Sequence, residues 1–124
     1  MLGICLLAAT ACLQITAPGS IDERVTLGPG EQASVAGVNI RFELVTGDSR
    51  CPADALCIQG GDAVVTITAT QGFGGRVEFD LHTGDMKPVS HGDLTIALVQ
   101  LEPYPFSSHP IDPKDYRVTL RITR

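Results

Sequence analysis

VNIRFELV, residues 38–45, alternates without interruption: Val38, Ile40, Phe42 and Leu44 fall on one side, Asn39, Arg41 and Glu43 on the other. A period of two is what a half-buried β-strand requires, because successive side chains leave opposite faces of the pleat. The same period recurs outward in both directions. Upstream, RVTL (24–27) and QASV (32–35) flank the turn GPGE and read as a hairpin. Downstream, AVVTITAT (63–70) is rich in β-branched residues and reads as a central strand. After the glycine turn QGFGG, RVEFDL (76–81) sets Val77, Phe79 and Leu81 against Arg76, Glu78 and Asp80. LTIALVQL (94–101) is nearly continuously apolar, and YRVTLRITR (116–124) alternates Tyr116, Val118, Leu120 and Ile122 with Arg117, Thr119, Arg121 and Thr123. About seven short strands separated by turn residues define an all-β fold, an antiparallel β-sandwich of immunoglobulin-like size. Arg117, Arg121 and Arg124 mark the last strand as a solvated or edge strand, where charge discourages edge-to-edge association.

The chain has 124 residues, enough for one domain with one core. Nine Lys and Arg against fourteen Asp and Glu leave a net charge of −5. That balance excludes nucleic-acid binding, which needs clustered cations to neutralise phosphates. Aromatic residues make up 5% of the chain and tryptophan is absent, so no stacking platform for bases or sugars is expected.

The first residues carry an address. Leu2 to Ala11 is apolar, uncharged and too short to cross a bilayer, and it ends in small residues before Cys12. That is a secretory signal pattern. Ala9-Thr10-Ala11-Cys12 resembles a bacterial lipobox, in which the cysteine becomes the acylated first residue; Ala9 stands where leucine is common. The alternative is cleavage after Ala11 or near Ala17. The organisation expected is therefore a signal over 1–12, a tether over 13–22, and a single sandwich domain over 23–124, exported to the periplasm or cell surface. The membrane would be met only through the lipid on Cys12.

Two further features interrupt the strands. In GDSRCPADALCIQGGDA (47–63), Cys51 and Cys57 enclose five residues. With Cys5 leaving with the signal and Cys12 acylated, these two remain to pair with each other. Thioredoxin-type redox motifs use two intervening residues, and zinc needs four ligands whereas the nearest histidine is His82. Pro52 suits a first helical position, and Asp54 can face the free amides of that turn. A helix cannot fill the loop, because six residues at 1.5 Å rise separate the Cα atoms by about 9 Å, whereas a disulfide needs less than about 7 Å. One tight helical turn followed by a reversal is expected. Asp48 accepts from following amides, Arg50 pairs with Asp48 or Asp62, and Gly60-Gly61 supply positive φ. The second feature, EPYPFSSHPIDP (102–113), holds four of the eight prolines. It reads as a rigid crossover, with a presenting loop that exposes Tyr104 and Phe106 as the alternative.

The segment DSRCPADALCIQGGDA is similar to a motif of small uncharacterised bacterial exported proteins and lipoproteins: Asp-Ser-Arg-Cys-Pro, a second Cys, then Gly before a strand. The ending LEPYP…DYRVTLRI is similar as well, so the resemblance covers roughly 23–124. Gln59 stands where those proteins often have an aromatic, and Asp62 where they have Asn or Glu. The resemblance implies export and compactness and supplies no activity.

No nucleophile elbow, paired-carboxylate arrangement or phosphate-cradling loop is present, so a non-enzymatic protein without cofactor is expected. Its function would be to bind an envelope protein or small ligand through the 47–62 loop, with Asp48, Arg50, Asp62 and Tyr104 as binding residues. The alternative is periplasmic copper binding by His82, Met86, His91 and His109, whose imidazole and thioether groups suit that metal.

Overall fold

The structure, a computed structural model, describes residues 20–124. The signal segment 1–12, the acylation site Cys12 and the tether up to residue 19 lie outside the described residues. Among the described residues, eight strands form two four-stranded antiparallel sheets: β1 (Asp22–Leu27), β2 (Gln32–Val35), β3 (Val38–Asp48), β4 (Ala63–Gln71), β5 (Arg76–His82), β6 (Val89–His91), β7 (Leu94–Glu102) and β8 (Arg117–Thr123). One sheet runs β1-β8-β7-β6 and the other β2-β3-β4-β5. Their inner faces interlock as one apolar core, in which Ile40, Phe42, Val65, Ile67, Leu81, Ile96, Val118, Leu120 and Ile122 are fully buried.

The expected pattern holds best in the interior strands. β4 is central, with Val65, Ile67 and Ala69 buried inward. Its outward Thr66 and Thr68 are also covered, and their hydroxyls donate to Asp80 and Glu43, at 2.9 and 2.8 Å. In β8 every second residue is buried, and Tyr116 just before it continues the inner face.

Several expectations are corrected. RVTL and QASV do not form a hairpin. The turn is present, with Glu31 N donating to Gly28 O at 3.0 Å, but β1 leaves it to pair with β8 while β2 pairs with β3 in the facing sheet. In β3 a bulge between Phe42 and Leu44 inserts Glu43 and reverses the phase, so Leu44 is exposed while Val45 packs on the core. Val77 is not buried but 40% exposed, because β5 is an edge strand. The arginine-bearing β8 is an interior strand, and the solvated half of that expectation holds for Arg117 and Arg121 on its outer face. Short β6, Val-Ser-His, is an eighth strand that three residues could not announce.

The registers define two ends of the sandwich. At one, Leu27 meets Val118, Glu102 meets Arg117, and Asp48 meets Ala63. This end, the loop end, carries both the 49–62 connection and the 103–116 crossover. At the other, the entry end, Asp22 meets Thr123, Val38 meets Gln71, and Thr70 meets Arg76.

Candidate functional site

The Cys51–Cys57 disulfide is present, with a Cα–Cα distance of 6.0 Å, inside the limit that excluded a helix. The tight turn after Cys51 is a single hydrogen-bonded reversal, Ala55 N to Pro52 O at 3.1 Å. The helical turn among the described residues lies elsewhere, as a 3-10 turn over Pro113–Asp115 capped by Asp112. Asp54 does not cap the turn that contains it. Its carboxylate reaches across to the crossover and accepts from Ser107 N at 2.9 Å and from Ser107 Oγ. These bonds hold the Asp54 carboxyl below the usual range, the hydroxyl contributing most. Ala53 N donates to Pro105 O at 2.9 Å, a second tie between the two loops.

Arg50 makes the third tie, and it is buried, with 9% of its surface exposed. Its Nε and Nη2 form a two-pronged pair with Asp48 Oδ1 and Oδ2, each at 2.8 Å. Nη1 donates to Leu101 O and Nη2 to Pro103 O, both at 2.9 Å. Tyr104 stacks over the guanidinium, 5.4 Å from ring centroid to Cζ. Tyr116 Oη completes the cluster, donating to Asp48 Oδ2 at 2.8 Å. Burial alone would raise the Asp48 carboxyl, but the bonds from Arg50 and Tyr116 outweigh it and hold the group below its ordinary value. Burial, aided by the bond to Asp48, pushes the Tyr116 phenol up to about 12. Of the two partners open to Arg50 in the sequence, Asp48 is the one taken. Both ionised groups are turned inward, where they fasten the loop to the end of β7 rather than meeting solvent.

Asp62 belongs to a different group. It accepts from Gly84 N at 2.8 Å and from Thr83 Oγ1 at 3.4 Å, and it pairs with His82 Nδ1 at 2.6 Å. The His82 bond dominates the lowering of the Asp62 carboxyl and the raising of the His82 imidazole. Gly61 lies flat on the backbone of the loop entrance. A Cβ there would stand 1.5 Å from Ser49 O, so close approach, not positive φ, explains this glycine.

The copper-binding set is spread over separate contacts. His82 holds Asp62, His91 packs edge-on against Phe79 with centroids 6.2 Å apart, and His109 bonds Ser108 Oγ at 2.8 Å. Met86 lies on the β5–β6 connection, its amide bonded to His82 O. Among the described residues, no three His, Cys, Asp or Glu side chains are grouped so that they could hold an ion.

Two residues that the sequence reading passed over complete the surface. Leu56 and Ile58, on either side of Cys57, are fully exposed. A signal was available for Leu56, since an aliphatic residue inside so short a cysteine ring cannot reach a core. Tyr104 and Phe106 add exposed aromatic area on the crossover. Beside Tyr104 opens a groove of about 870 Å³, lined by Arg50, Gly61, Met86, Leu98, Leu101 and Tyr104 among others. It runs along the part of β7 beyond Ile96 that the three-residue β6 does not cover.

Comparison of the chain with protein-family profiles, with curated proteins and with solved structures finds no match.

Proposed function

We propose that this chain is a non-enzymatic bacterial envelope lipoprotein, anchored through Cys12, that binds an envelope protein through its loop end. The observation that carries the reading is the pair Leu56 and Ile58, fully exposed on a disulfide-closed loop. Exposed aliphatic side chains normally collapse onto their neighbours. Here the disulfide and the ties from Ala53, Asp54 and Arg50 hold the loop against the crossover, so ordering it for a partner costs little additional entropy. Tyr104, Phe106 and the adjoining groove extend the apolar contact area. In this reading Asp48 and Arg50 position the surface without touching the partner.

A photo-crosslinking residue introduced in cells at Leu56, at Ile58 and, as a control, at Leu44 on the sheet face tests the proposal. Discrete adducts from the first two positions, absent at the third and weakened by Cys51→Ser, are expected. The same adduct pattern from all three would remove the loop from the function.

A further inference from the structure

We propose that the entry end of the sandwich rests on an anionic lipid bilayer, with Phe73 in the interfacial layer and Arg76 against the headgroups. The inference depends on the Cys12 anchor of the previous reading, and its test separates the two.

The β4–β5 connection closes through Gly74 N to Gln71 O at 2.8 Å, with Gly72 in the left-handed region at a φ of 54°. This turn carries Phe73 at its tip, fully exposed. Three residues later Arg76 opens β5, exposed and without an ion pair among the described residues. A projecting aromatic ring beside an unpaired arginine is the chemistry of headgroup-level contact, where the ring enters the interface and the cation meets phosphate.

Topology puts this turn where the chain enters the domain. Asp22, which opens β1, pairs with Thr123 at the same end of the sandwich at which Val38 pairs with Gln71 and Thr70 with Arg76. Cys12 precedes Ser20 by eight residues. Such a tether reaches about 28 Å fully extended and about 16 Å on average as a flexible coil. The nine-residue strands β4 and β7 alone give the body a length of about 30 Å. An anchor on so short a tether holds the entry end at the surface and the Cys51–Cys57 loop on the far side. Charge favours the same orientation. Residues 102–115 at the loop end hold Glu102, Asp112 and Asp115 against Lys114 alone, a composition repelled by anionic lipid.

The chain contains no tryptophan, so Phe73→Trp and Phe106→Trp each place a single fluorophore at one end. The full-length proteins, with Cys12 acylation verified by intact mass, are reconstituted into phosphatidylethanolamine–phosphatidylglycerol vesicles with or without brominated acyl chains. Emission from Phe73→Trp is expected to shift to the blue and to be quenched by bromolipid, and emission from Phe106→Trp to do neither. Adding Arg76→Gln to Phe73→Trp is expected to reduce quenching when phosphatidylglycerol is present and to have no effect in its absence. Equal behaviour of the two reporters in acylated protein, or quenching confined to Phe106→Trp, overturns the orientation while leaving the anchor standing. A blue shift at Phe73→Trp without bromolipid quenching marks a contact with protein and also overturns it. A Cys12 without an acyl chain overturns the anchor, and this inference with it.

Discussion

Arg50→Ala is the substitution on which the account of the loop end depends most heavily. The side chain is 6% exposed and its partner Asp48 12%, so their charges meet largely out of water. Removing one member of such a pair leaves the other charge uncompensated, at a cost of about 3–5 kcal/mol. Two carbonyls, Leu101 O and Pro103 O, lose their donor at the same time. Tyr116 still donates to Asp48, which places the expected loss near the lower bound, about 3 kcal/mol. Against a total of about 5–15 kcal/mol for a domain of this kind, the variant should fold but melt early. Arg50→Lys keeps the charge and loses the two-pronged geometry, so it should fall between variant and wild type. The double variant Arg50→Ala/Asp48→Asn should be more stable than the sum of its parts, because neither member is then left charged and alone. Urea unfolding under non-reducing conditions at pH 7 measures all three. The pH dependence has a definite sign. Asp48 has a lowered pKa when folded, so its contribution is complete above the ordinary value of 3.8 and disappears as pH falls through the folded value. The gap between wild type and Arg50→Ala should therefore narrow in acid. A loss of less than about 1 kcal/mol at neutral pH, the range of an ordinary surface change, would mean that the Asp48–Arg50 pair does not hold the loop end.

Three further expectations concern other parts of the molecule. Cys51→Ser should lower stability by about 2 kcal/mol, the chain-entropy value for so short a ring, while circular dichroism shows the sheets intact. Ala36→Asn should raise the melting temperature: Ala36 and Gly37 turn β2 into β3 with φ of 51° and 77°, and an L-residue other than Asn or Gly bears about 1 kcal/mol there. His82 should titrate above its ordinary 6.5 by NMR and return towards it in Asp62→Asn. Because the folded His82 pKa is raised and that of Asp62 lowered, the stability the pair provides is complete between 3.8 and 6.5 and fades as pH climbs through the folded value of His82; urea midpoints of wild type and Asp62→Asn should therefore converge on the alkaline side.

What could be read from residues alone divides along physical lines. Strand identity was legible where alternation has one buried face, as in β8 and the first half of β3, because burial writes itself into every second side chain. Pairing was not legible in the same way. GPGE is a turn whether its flanking strands pair with each other or with distant partners, and nothing local distinguishes the two. The bulge at Glu43 was hidden because the apolar run continues through Leu44 in sequence while the backbone changes phase in space. At the site, the disulfide followed from counting cysteines and the Asp48–Arg50 pair from adjacency. Asp62 with His82, and Asp54 with Ser107, bridge separations of 20 and 53 residues that only the fold brings together.

The sheet that joins β1 to β8 pairs Asp22 with Thr123, nearly the whole length of the domain apart. Its first strand thus has no neighbour until the last has left the ribosome, and closing a loop of that span makes assembly slow and late. A nascent chain of this design can pair β2 to β5 in succession, but the facing sheet, and with it the closed core, waits for β8. Truncation before Arg117 should leave β1 without its partner and the inner face of the β2-β3-β4-β5 sheet largely uncovered.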